Sequence, residues 1–338
     1  MKQLLAIFGS TSAGKTDLAL KLAKKFNGEL VACDSRQVYV GLDIGTGKLP
    51  SGRWKMEDGR WKKGRGYWEM DGVRIWMYDV ADPKKQYTVY DYVKDANKVI
   101  DEILKRNKLP IIVGGTGLYL KALFEGLPNL AIPIDQKLRN KLEKLSLDKL
   151  QKKLQEVSLQ KWEKMNYSDR KNPRRLVRAI EIATSVDINT TAVGLMSTAG
   201  RIKLQADVLK IGLTAPKKIL YQRIDERVVS RLDQGMIKEA RSLQKNGLSL
   251  KRMRQLGLEY GVLADYLESK IIGVQELIKL LEGKIHRFAR RQITWFKNPS
   301  ASSGRIYWFD VTGKGFADKV ENLIAKWYDN HTTYAAKN

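Results

Sequence analysis

The chain has 338 residues, 43% of them hydrophobic and 29% charged, enough for two domains or one large α/β domain with an insertion. No apolar run approaches the roughly 20 residues that span a bilayer, and one cysteine with two histidines excludes an internal disulfide and disfavours a Cys/His zinc site. A formal net charge of +25 makes a field that attracts polyanions, nucleic acid first among them, the alternative being a lysine-rich surface that serves solubility.

Leu4–Phe8 is a short apolar run suited to a buried parallel strand. Starting so near Met1, it leaves no room for a signal peptide, and the expected compartment is the reducing cytoplasm, with no membrane role. It enters Gly9-Ser10-Thr11-Ser12-Ala13-Gly14-Lys15-Thr16, which fits G-x-x-x-x-G-K-[ST]. Leu18, Leu20, Leu22, Ala23 and Phe26 then recur at helical spacing. Strand, glycine loop and helix in this order form a phosphate cradle. Backbone N–H groups turn inward, Lys15 adds a full charge, and the Thr16 hydroxyl reaches a phosphate or its Mg²⁺.

Glu29–Cys33 is a second strand, delivering Asp34-Ser35-Arg36-Gln37 at the carboxyl end where open α/β sheets bind ligands. Asp34 suits Mg²⁺ coordination, general-base work or a helix N-cap. Gly41–Lys48 is a glycine-rich loop, weak as an anion site by itself, with Lys48 expected in solvent. Residues 50–78 mix basic, glycine and aromatic residues, including Trp54, Trp61, Trp68 and Trp76. They form a hairpin or a flap, its aromatics either stacking on unpaired bases or packing one another. An amphipathic helix over 89–104 precedes the strand Leu109–Val113 and a second glycine corner, Gly114-Gly115-Thr116-Gly117. Thr116 there is a ligand contact or a helix cap.

From 128 to 200 strand signals vanish, and helices are predicted near 134–146, 148–156, 159–165 and 172–184. In the last, Arg174, Arg175 and Arg178 suit phosphate or base contacts, unless Glu181 holds them in a salt-bridged face. The sheet resumes with the strand 207–213, then a long helix from Pro216 carries Arg223, Arg227 and Arg231 in one stripe, able to clamp a phosphate or lie at the surface. Helices over 236–245 and 275–297, a strand over 306–311 and a helix near 315–328 complete the chain. Basic residues in the 275–297 helix could border a nucleic-acid groove. The expected fold is α/β: a P-loop-type parallel sheet flanked by helices (1–127 and 201–338), with an all-helical insertion domain over 128–200.

Six motifs in order resemble the tRNA dimethylallyltransferases, also called tRNA isopentenyltransferases. They are Gly9–Thr16, Asp34-Ser-Arg-Gln-Val-Tyr39, Gly41–Thr46, Gly114–Tyr119, Arg175-Leu-Val-Arg-Ala-Ile-Glu181 and Arg290-Arg-Gln-Ile-Thr-Trp-Phe296. The resemblance implies transfer of a dimethylallyl group from dimethylallyl diphosphate to N6 of the adenosine 3′ to the anticodon, with Mg²⁺ required and diphosphate released. It implies that Gly9 to Thr16 hold the diphosphate, with Thr16 also a Mg²⁺ ligand and Arg227 a second clamp. By the same resemblance Asp34 is the general base, Ser35, Arg36 and Gln37 border the target base, and Thr116 and Arg174 to Arg178 contact tRNA. The helical insertion would grip the anticodon stem-loop, and a monomer is expected. Ile75 and Trp76 replace histidines common in the family, Arg174 stands where glutamine is common, and the 50–78 segment is unusual. An adenylate isopentenyltransferase acting on free AMP, ADP or ATP is the nearest alternative, and a small-molecule P-loop kinase a more distant one. The insertion and the +25 charge favour tRNA, because a free nucleotide needs no such surface.

Overall fold

The computed structural model describes residues 2–48, 61–64, 66–130, 132–186, 206–298 and 304–335. The start of the expected flap, including Trp54, therefore lies outside the described residues. The chain divides into two compact units, 1–125 with 204–338, and 126–203.

In the larger unit the elements run β1 (Gln3–Gly9), α1 (Lys15–Lys25), β2 (Gly28–Cys33), β3 (Trp61–Gly64), β4 (Tyr67–Met70), β5 (Val73–Trp76), α2 (Val89–Lys105), β6 (Leu109–Gly114) and α3 (Gly117–Glu125). The eight strands order β3-β4-β5-β2-β6-β1-β7-β8, with β7 at Asp207–Thr214 and β8 at Ile306–Asp310. From β5 to β8 every pairing is parallel, and β3, β4 and β5 form an antiparallel meander at one edge. The fold is the expected α/β class. β2 and β6 are buried along their whole length, as a central strand covered by helices requires.

That meander belongs to the described part of the 50–78 segment, and Trp68 and Trp76 are packed in it. Trp68 is fully buried and donates to Asp79 Oδ2 at 2.7 Å, while Trp76 donates to Glu29 Oε2 at 2.7 Å. The packing alternative holds for both indoles, each with its one polar atom satisfied.

The smaller unit is helical among its described residues: α4 (Gln136–Leu142), α5 (Leu147–Val157), α6 (Leu159–Lys164), α7 (Tyr167–Arg170) and α8 (Pro173–Val186). Asp135, Ser146, Ser158 and Asn166 each cap a helix by accepting a backbone N–H, which explains why the segment breaks into short helices. Leu142, Leu150, Leu154, Leu176 and Ile180 form its core. Each such side chain contributes about 1.5–3 kcal/mol by leaving water.

The larger unit closes with α9 (Lys217–Asp233), α10 (Met236–Lys245), α11 (Leu250–Leu256), α12 (Leu258–Leu267), α13 (Val274–Lys297) and α14 (Phe316–Ala335). No helix among the described residues is long and apolar enough to cross a membrane.

Candidate active site

Three adjacent strands, β2, β6 and β1, end side by side, so the loops that follow them meet over one cleft of about 680 Å³. The glycine loop forms its floor. Gly9 has φ 145°, and a Cβ there would lie 2.2 Å from the Leu213 carbonyl oxygen, so only glycine fits. Gly14, at φ 72° and ψ 22°, turns the chain into α1. Lys15 folds back over the loop, its Nζ donating to the Ser10 carbonyl at 2.7 Å.

α9 and α13 brace the loop from its sides. The Thr11 hydroxyl accepts from Arg227 Nη2 at 2.7 Å, and the Thr11 N–H donates to Gln292 Oε1 at 2.8 Å. Gln292 Nε2 in turn donates to the Gly115 carbonyl at 2.9 Å, tying the loop after β1 to the loop after β6. The Ser10 and Ser12 hydroxyls and Arg227 Nε are buried without a hydrogen-bond partner among the described residues. Such donors are costly unless a ligand satisfies them.

The charges crowd. Burial and the Arg227 charge pull the Lys15 pKa down to about 8, with Asp34 opposing them. Burial and Arg231 depress Arg227, against Glu259 and Asp34. A guanidinium keeps its proton even so, and the cleft is therefore a cationic site short of an anion.

Asp34 leaves β2 into a tight turn, where its Oδ1 accepts from Arg36 N at 2.9 Å and Gln37 N at 3.4 Å. Asp34 thus caps a turn with one oxygen and not a helix, since residues 35–38 are a turn, so the helix N-cap alternative does not hold; Oδ2 accepts no bond among the described residues. Arg36 points from Asp34 toward Glu259, and Gln37 Nε2 donates to the Thr46 and Gly47 carbonyls at 3.3 and 3.4 Å. Ser35 N donates to Thr116 Oγ1 at 3.1 Å, so Thr116 staples this corner to the end of β6. The cleft brings together Thr11 to Thr16, Asp34, Arg36, Gln37 and Arg227; Ser35 and Thr116 do not line it. The Thr16 hydroxyl lines the cleft and bonds to no protein group among the described residues. It is a hard oxygen donor that suits Mg²⁺, with phosphate and water left to supply further ligands.

The expectation of a solvated Lys48 is wrong. Its side chain is fully buried, with Nζ donating to the Tyr39 carbonyl at 2.6 Å, to Asp43 at 2.9 Å and to Asp79. Two carboxylates and a carbonyl replace its water, so burial is tolerable. Its loop does bind an anion, one from its own chain. The Glu239 carboxylate accepts from Asp43, Ile44 and Gly45 N at 2.7–3.1 Å and from the Tyr260 hydroxyl at 2.5 Å.

In the helical unit Arg174 is exposed, and Arg175 is exposed and paired with Asp169. Arg178 has its donors taken: Nη1 by Glu181 at 2.5 Å, Nη2 by the Asn129 and Ile132 carbonyls. For Arg178 the salt-bridge alternative is the one observed.

The family described as IPP transferase matches residues 37–299, and that described as isopentenyl transferase matches residues 2–57. A tRNA dimethylallyltransferase of Treponema denticola is 37% identical over 304 residues, covering 90% of this chain and 94% of that one. The chain belongs to the tRNA dimethylallyltransferase family. Another tRNA dimethylallyltransferase, from Streptococcus agalactiae, is 38% identical over 88% of this chain and 89% of its own. Among solved structures, the tRNA isopentenylpyrophosphate transferase of Bacillus halodurans superposes with TM-score 0.67 at 30% identity, covering 99% of this chain and 100% of that one. A eukaryotic dimethylallyltransferase acting on tRNA shares the fold, with TM-score 0.75 at 23% identity over 98% of this chain and 80% of that one.

Sequence reasoning missed Gln292 and Glu259, which line this dimethylallyltransferase cleft, and Glu239, which holds the Gly41–Lys48 loop. Glu259 had a usable signal, being the lone charge in the otherwise apolar Leu258–Ala264. The glutamine and Glu239 sit in polar helix stretches that look like solvent faces.

Proposed function

We propose that this chain prenylates tRNA, moving the dimethylallyl group of dimethylallyl diphosphate to N6 of the adenosine 3′ to the anticodon. One observation carries the reading: a cationic phosphate cradle and a carboxylate with a free oxygen share a single cleft.

Lys15, Arg227 and the loop N–H groups bind the diphosphate and stabilise it as it leaves. The C1–O bond of the donor breaks with its electron pair going to diphosphate, and the adenine N6 lone pair forms the new C–N bond. The N6 proton passes to Asp34 Oδ2, the oxygen left free by the turn. Thr16 would hold Mg²⁺, which when bound adds charge neutralisation at the diphosphate. The adenine must leave its stack to enter such a cleft, at about a few kcal/mol. Phosphate contacts from a chain of net charge +25 offset that cost. The exposed Arg174 and Arg175 of the helical unit suit the anticodon stem-loop.

Incubation with dimethylallyl diphosphate, Mg²⁺ and unmodified tRNA, followed by nucleoside mass spectrometry, tests the assignment. The expected product is N6-dimethylallyladenosine in tRNA. Product on free AMP alone would move the chain to adenylate prenylation, and ATP consumption without prenyl transfer would make it a kinase.

A further inference from the structure

Asp34 and Glu259 compete for one guanidinium. Arg36 has a nearly buried side chain, 12% exposed, whose Nη1 donates to Glu259 Oε2 at 3.3 Å. Its Nε stops 3.8 Å from Asp34 Oδ1, beyond hydrogen-bond reach, and has no hydrogen-bond partner among the described residues. The guanidinium is also held over the Phe288 ring, 5.0 Å from its centroid. Glu259 is anchored from its other side: Oε1 accepts from Arg231 Nη1 at 3.3 Å, and that nitrogen also donates to the Gly45 carbonyl at 3.0 Å. A carboxylate only 6% exposed is therefore fixed between two arginines, one of which would otherwise close on Asp34.

We infer that Glu259 is a positioning residue for the prenyl transfer: by drawing on Arg36, it holds the Arg36–Asp34 ion pair at 3.8 Å, short of a direct hydrogen bond, and leaves Oδ2 able to take the N6 proton. This inference rests on the base role given to Asp34 above. The gap left at Asp34 is about 1 Å longer than a charge-assisted hydrogen bond, so a small swing of Arg36 would close it. An arginine in full contact with a carboxylate weakens it as a base, by about one to three pH units in known cases.

Other titratable groups also face Asp34. Lys15 from α1 has its pKa near 8. The Cys33 thiol is pushed up to about 12, and the hydroxyls of Tyr78 and of Tyr119 on α3 are pushed up by burial, with Asp34 adding to the shift in each case. Arg227 from α9 stays charged.

The test is single-turnover prenyl transfer on tRNA against pH for the full chain and three variants. Glu259→Gln keeps the shape and removes the charge. It is expected to slow transfer about 10-fold or more and to move the acid limb to lower pH, with KM for dimethylallyl diphosphate changed less than about threefold. Arg36→Gln, which leaves Glu259 paired to Arg231, is expected to move the acid limb the other way. Adding Arg36→Gln to Glu259→Gln should cancel the shift to lower pH. Glu259→Asp, which keeps the charge, should recover most of the rate. Should Glu259→Gln not fold, the opposite shift in Arg36→Gln alone decides the matter. Equal losses at every pH in both single variants, with the limb unmoved, would reduce Glu259 to a structural ion pair and overturn the inference. An Asp34→Asn variant with undiminished transfer would instead remove the base assignment itself, and no prenyl transfer by the unaltered chain would remove the activity.

Discussion

Two helices carry rows of three arginines, Arg223, Arg227 and Arg231 on α9 and Arg174, Arg175 and Arg178 on α8, and their surroundings separate them. On α9, Arg227 and Arg231 are withdrawn from water and face a cleft with unpartnered hydroxyls. On α8, Arg178 is spent inside its own unit on Glu181 and two carbonyls, while Arg174 and Arg175 stand exposed. Helical spacing aligns arginines on a face; what the opposite wall offers decides whether they hold a ligand, the fold or nothing.

The largest effect should come from the α9 row. Arg227→Gln removes the donor to the Thr11 hydroxyl and, on the proposed reaction, a clamp on the departing diphosphate; it is expected to lower kcat about 100- to 1,000-fold, with thermal stability little changed. A loss confined to KM would mean that Arg227 binds donor and transition state equally.

On α8, the equivalent experiment is one of stability. Glu181 is buried and accepts from Arg139 at 2.8 and 2.9 Å, from Arg178 at 2.5 Å and from Asp135 N at 2.7 Å. Glu181→Gln leaves two arginines facing a neutral group and should cost the helical unit about 3–5 kcal/mol, seen in denaturant unfolding. The bonds from these arginines hold the Glu181 pKa below its usual 4.5 in spite of burial. Its contribution is therefore complete above that value and is lost as pH falls below it. Unchanged acid unfolding in Glu181→Gln would contradict this.

Lys15 gives the cleft a pH dependence of the opposite sign. With its pKa near 8, the ammonium is lost as pH rises through that value, and pyrophosphate affinity should fall with it. Calorimetric titration should find a decline of about tenfold per pH unit well above 8, flattened by Lys15→Arg. The smallest effect belongs to Arg174→Gln with Arg175→Gln, which should lower the slope of log tRNA affinity against log salt by about 0.7–0.9 per lost phosphate contact. An unchanged slope would put the RNA elsewhere.

Local physics made much of this legible. Buried strands announce themselves as apolar runs, and Gly9 and Gly14 mark a backbone that only glycine can follow. What stayed hidden depends on partners distant in sequence. Lys48 looks solvated until Asp79, 31 residues away, is brought beside it. Gln292 looks like one polar residue in a basic motif until Thr11, 281 residues away, donates to it. The short helices α11 and α12 carry no strong amphipathic period, and so the placement of Glu259 was not foreseen although its isolation in an apolar run was visible.

The proposed reaction divides labour in one cleft, cations for the departing diphosphate and Asp34 for the amine proton. Single-turnover transfer by Asp34→Asn, with tRNA binding measured in parallel, tests it most directly. The rate should fall about 100- to 10,000-fold while tRNA affinity stays within about twofold. A normal rate with lost tRNA binding would contradict it.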